Sequence, residues 1–139
     1  MIQIIAGAKG KGKTKILLDK VNTSIKEASG TIVYLDKNTK HMYELNNKIR
    51  LINVKDYCID TCQEFTGFIC GLCSQDHDLE KVYLDSFLNI SCLEDNDITE
   101  VLEKLDLISA KFSVDFVISI SKNSDEIPDK FKSNVIVAL

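Results

Sequence analysis

The densest chemistry in the chain lies near its amino terminus, in the run Gly7-Ala8-Lys9-Gly10-Lys11-Gly12-Lys13-Thr14. The spacing Gly-x(4)-Gly-Lys-Thr is filled without a mismatch by Gly7, Gly12, Lys13 and Thr14. Such a run can wrap around a phosphate and aim several backbone N–H groups inward. That needs backbone angles glycine reaches cheaply, and no side chain in the way. Gly7, Gly10 and Gly12 meet the need. Lys13 brings a point charge to the β- and γ-phosphates, and Thr14 brings a hydroxyl to Mg²⁺. A helix starting at Lys13 sets its positive dipole end on the same phosphates. Lys11 and Lys15 raise the local potential and complete the expected ligand-binding set.

A second group must hold the metal ion. A carboxylate at the end of a neighbouring strand serves that purpose. Two apolar runs end in aspartate: Val82-Tyr83-Leu84-Asp85 and Ile32-Val33-Tyr34-Leu35-Asp36. Asp85 is the choice, because a strand and a helix intervene before it. With Lys13 it forms the expected catalytic pair, and with Thr14 the expected metal pair. Asp36 reads as a surface residue. Ser119 and Ser121 end a further strand, where a polar γ-phosphate sensor could stand.

These residues need elements to position them. Ile2–Ala6 is a short apolar run leading into the glycines, as a buried parallel strand does. Residues 13–28 carry a helical period, with Gly30 as the stop. Residues 31–35, 81–84, 114–120 and 134–138 read as further strands, and 50–54 as a weaker one. Helices are expected over 61–73, opened by the capping box Thr61 to Glu64, and from another capping box at Asp97 to Glu100. The latter carries the stripe Ile98, Val101, Leu102, Leu105, Ile108 and Phe112. Single helical turns are expected at 41–45 and 128–132. Alternating strands and helices predict an α/β fold, a three-layer α/β/α sandwich around a mostly parallel central sheet of five main strands.

Composition narrows the partners. The 139 residues suit a single domain, and 45% are apolar against 27% charged, a globular balance. A net charge of −4 disfavours nucleic acid. No apolar run approaches the roughly 20 residues that span a bilayer, and no signal peptide is visible, so a cytoplasmic protein is expected. The five cysteines are expected to be reduced. Cys58, Cys62, Cys70 and Cys73 are poorly placed for zinc, since Cys62 and Cys73 lie about 16 Å apart along a straight helix. They read as small buried hydrophobes. Tyr34, Tyr83, Phe87 and Phe112 read as core, and His41 and His77 as surface.

Taken together, the residues resemble the P-loop NTPase superfamily, and more closely its RecA-like division, in which an extra strand lies between the phosphate-loop strand and the metal-binding strand. The chain also looks similar to short bacterial ATP-binding proteins of unassigned role. The resemblance implies a strand order of 5-1-4-3-2, with ATP and Mg²⁺ as ligands. ATP is the default because no Asn-Lys-x-Asp guanine-reading motif is present. Ser86 follows Asp85 where many hydrolytic members carry a glutamate, and Arg50 is the one arginine in the chain. The resemblance therefore implies a slow ATPase or nucleotide-dependent switch, completed by a protein partner or a homo-oligomer. The alternatives are a small-molecule kinase or nucleotidyl transferase, and a non-catalytic interaction module with a vestigial loop.

Overall fold

The computed structural model describes residues 1–139. Six strands form one sheet: β1 (Ile2–Ala6), β2 (Thr31–Asp36), β3 (Arg50–Asn53), β4 (Leu79–Leu84), β5 (Asp115–Ile120) and β6 (Val135–Ala138). All pairings are parallel, in the order β3-β2-β4-β5-β1-β6. The sheet thus has six strands where five main ones were expected. The extra member, β3, pairs with β2 from Val33–Arg50 to Asp36–Asn53 and extends the order beyond 5-1-4-3-2.

Four helices accompany the sheet: α1 (Lys13–Ser24), α2 (Cys62–Gln75), α3 (Phe87–Ile90) and α4 (Thr99–Phe112). Side-chain alternation along the strands sorts them onto two faces. On one face Leu17, Leu18 and Val21 of α1 pack against Ile5, Ile32, Tyr34, Tyr83 and Val117. On the other, α2 and α4 send Phe65, Ile69, Leu102 and Leu105 against Ile4, Val33, Leu35, Val82 and Ile118. The second core is the larger. With both faces covered, the inner strands are apolar almost throughout, as parallel sheets require.

Local chemistry sets the helix ends. Thr61 caps α2: its side chain accepts from the Glu64 N–H at 3.1 Å, and Glu64 Oε1 accepts from the Thr61 N–H at 3.1 Å. The helix runs on to Gln75, past the expected Cys73. The box expected at Asp97 does not form. Its carboxylate accepts from the Thr99 N–H at 3.1 Å and hydroxyl at 2.7 Å, a local turn that leaves Ile98 as the uncapped start of α4. Helix α1 ends at Ser24, short of Ala28, where bonding tightens to Lys26 N–H on Thr23 and Glu27 N–H on Ser24. Residues 42–44 and 129–134 form 3₁₀ turns, the latter preceded by Pro128. Phe112, expected in the core, is exposed at the last position of α4. Of the four cysteines taken as buried, only Cys73 is; Cys58 and Cys70 are exposed and Cys62 lies between. No helix is long and apolar enough to cross a membrane.

Candidate functional site

Parallel strands deliver all their carboxyl ends to one edge of the sheet. Ligands of open α/β sheets bind outside that edge. Here it carries the turn after β1, Asp36 and Lys37 after β2, Asp85 after β4, and Ser119 and Ser121 at the end of β5. All of these but Asp36 line a cleft of about 660 Å³.

The turn from Gly7 to Gly12 joins β1 to α1. Gly10 and Gly12 have φ of 83° and 90°, values that side chains rarely adopt, so glycine is needed at both. Gly12 is the residue preceding α1, with no side chain capping the helix and no acidic residue in its first turn. None of the backbone N–H groups from Ala8 to Lys15 donates a hydrogen bond within the protein. Unpaired donors at a helix start, with the positive end of the dipole behind them, form a site that favours an anion.

Lys13 is buried at this helix start and donates through Nζ to the Ala8 carbonyl at 3.1 Å. Burial pulls its pKa below the ordinary lysine value; Asp85 opposes this and Lys9 adds to it. A partly desolvated ammonium group held against a neutral carbonyl gains from an incoming anion.

Asp85 is buried and fully engaged. Its Oδ1 accepts from Ser119 Oγ at 2.8 Å, the Ser86 N–H at 2.9 Å and Thr14 Oγ1 at 3.3 Å. Its Oδ2 accepts from the Tyr34 hydroxyl at 2.8 Å. Four donors fix the carboxylate in one orientation beside the turn. The Tyr34 phenol is held protonated, with its pKa raised by burial and then by the Asp85 charge. Asp36 is also buried, with Oδ1 accepting from the Lys37 N–H at 2.7 Å. Burial raises its pKa to about 6, helped by the Asp85 charge and opposed by the Lys37 N–H, His41 and the Lys37 charge. Asp36 was expected at the surface.

The fold brings Gly10, Gly12, Lys13, Thr14, Asp85, Ser119 and Ser121 together on the cleft. It does not bring Gly7, Lys11 or Lys15 to the wall. Gly7 is buried beneath the turn, where an added Cβ would lie 3.0 Å from Cβ of Leu139. Lys11 and Lys15 point to solvent. Arg50 sits exposed on the edge strand β3, and His41 makes a local 3.2 Å contact with Glu44. Four participants were not anticipated from sequence: the Tyr34 hydroxyl, Lys37, Lys122 and Asn89. Tyr34 was legible only as an apolar-periodic residue, and the others lie in turns or in the four-residue α3, which carry no periodic signal. Asn89 Oδ1 is the one buried side-chain oxygen or nitrogen without a partner.

No protein-family model matches this chain, and no characterised protein shows significant sequence similarity to it.

Proposed function

We propose that the chain binds a Mg²⁺–nucleoside triphosphate, with ATP as the default ligand. Acting as a slow ATPase or nucleotide-dependent switch, it is completed by a partner or a second copy. The observation that carries this is the uninterrupted run of unpaired N–H groups from Ala8 to Lys15, wrapped around a buried Lys13. Neutral or cationic ligands gain nothing from such a turn, whereas a phosphate satisfies it.

Thr14 and Asp85 suit Mg²⁺ by chemistry: a hydroxyl and a carboxylate, both hard oxygen donors, 3.3 Å apart beside the phosphate turn. No group of three or more His, Cys, Asp or Glu side chains converges as a metal site anywhere in the chain, this cleft included. Bound there, the ion would neutralise charge on the terminal phosphates. In this reading Lys13 turns from the Ala8 carbonyl to the β- and γ-phosphates, Thr14 and Asp85 hold the ion's shell, and Ser119 keeps Asp85 in place. Ser86 stands in the chain directly after Asp85, where a glutamate would otherwise orient the attacking water, which supports slow turnover. Placement in the RecA-like division is supported by β5 standing between β1 and β4.

Calorimetric titration of Mg²⁺–ATP into the wild-type protein and Lys13→Ala tests the reading. Saturable binding, lost in a variant that keeps its circular dichroism spectrum, is the expected result. Equal binding by both proteins, or none by the folded wild type, refutes it.

A further inference from the structure

We propose that this cleft recognises the polyphosphate chain of its ligand and is nearly indifferent to the base. The inference rests on the nucleotide reading above and names its substrate class: Mg²⁺ complexes of nucleoside triphosphates as a group, with inorganic tripolyphosphate among them.

A base is normally held by an aromatic or aliphatic slot, with a few polar groups to read its edge. Stacking on an aromatic side chain is worth about five- to a hundredfold in affinity per base. This cleft is built the other way. Of the sixteen residues that line it, Leu88 alone is hydrophobic. The aromatic rings nearest the site are spent elsewhere. Tyr34 is fully buried with its hydroxyl on Asp85, Tyr83 stacks on Tyr34 with centroids 6.5 Å apart, and Phe87 is closed into the core against Phe65. The exposed rings, Tyr43, Tyr57 and Phe112, are not on the cleft wall.

The side chains best suited to read a base edge, Asp85 and Asn89, are turned away from it. Both Asp85 oxygens are occupied, and Asn89 has its Oδ1 buried and its Nδ2 directed at Glu94, 3.5 Å away. The groups open to an anion are the ammonium groups of Lys9, Lys13, Lys37 and Lys122, together with the unpaired turn amides and the hydroxyls of Ser86 and Ser121. Ammonium groups are point charges without the planar fork that reads a heterocycle edge, and they match phosphate oxygens of any nucleotide. The carboxylates of Glu94, Asp95 and Glu126 share the wall. They oppose a bare tetra-anion, so the ligand enters as its magnesium complex.

The experiment is calorimetry on the full chain at constant free Mg²⁺, with ATP, GTP, CTP, UTP, inorganic tripolyphosphate and adenosine titrated separately. The expected result is four nucleotide affinities within about threefold of one another, tripolyphosphate within about tenfold of them, and no heat from adenosine. A preference above about thirtyfold for one base, or failure of tripolyphosphate while ATP binds, overturns the inference and leaves the nucleotide reading standing. Silence from every phosphate ligand overturns both.

Discussion

Replacing Asp36 with asparagine tests the electrostatics at the carboxyl edge of the sheet. Asp36 is buried at the end of β2, and burial together with the Asp85 charge lifts its pKa to about 6 from the ordinary 3.8. The folded protein therefore holds this proton more tightly than the unfolded chain does. The stability it contributes is fully present below about pH 4 and is lost as pH rises through about 6. A gap of about two pK units corresponds at its limit to about 3 kcal/mol. Between about pH 4.5 and 7.5 the same two pKa values give a loss of about 2 kcal/mol. Solvent screening at the sheet's carboxyl edge reduces this to about 1–2 kcal/mol. Asp36→Asn removes the titration and keeps a carbonyl for the Lys37 N–H. The cost of burying the new amide is the same at both pH values and cancels in the comparison. Urea unfolding of both proteins at the two pH values should show the variant gaining about 1–2 kcal/mol on the wild type as pH rises. A stability difference unchanged to within about 0.3 kcal/mol, or a shift favouring the wild type, would refute the argument.

Three further substitutions probe other parts of the framework. Tyr34→Phe leaves one Asp85 oxygen buried without its 2.8 Å donor and should cost about 2 kcal/mol, seen as a melting temperature lower by about 6 °C. An unchanged melting temperature would mean the hydroxyl is not needed to satisfy the carboxylate. Gly30→Ala should be worse than its small size suggests, because the new Cβ would sit 2.2 Å from the Asp78 carbonyl oxygen. Chemical unfolding should register a loss of about 1–3 kcal/mol, and a neutral result would show that the β2–β4 start yields freely. Thr61→Ala removes the capping box of α2 and should cost about 1 kcal/mol by the same measurement, whereas Thr61→Ser should recover most of it.

The glycine-rich turn between β1 and α1 was legible because its signal is local: six consecutive positions fix the glycines, and the strand before and helix after announce themselves by period. Strands β1, β2, β4 and β5 were legible because burial on both faces makes them almost wholly apolar. Strand β3 was weaker for the opposite reason. It lies at the sheet edge, with Arg50 exposed and only Ile52 fully buried. The Tyr34–Asp85 bond could not be read, because it depends on β2 and β4 lying side by side with Tyr34 opposite Tyr83, a long-range register. Periodicity gave Tyr34 its buried position and was silent about its hydroxyl. For Phe112 periodicity misled, since it extends a stripe to the last residue of the helix without showing what packs there. The raised Asp36 pKa was equally hidden, since both its burial and its neighbour come from tertiary structure.

The pairing of β1 has a consequence for the order in which the chain can acquire its shape. This strand is made first, yet both of its neighbours, β5 and β6, are made last: Ile2 lies opposite Phe116, and Ile4 opposite Ile118 and Val135. At about 5–20 residues per second of synthesis, the roughly 110 intervening residues take on the order of 5–20 s to appear. During that interval β1 has no strand to pair with, whereas β2, β3 and β4 already have one another. The glycine-rich turn hangs from the carboxyl end of β1 and cannot take its final form before β1 does. The cleft beside that turn is therefore a late feature of folding, complete only in a molecule whose sheet has closed around its first strand.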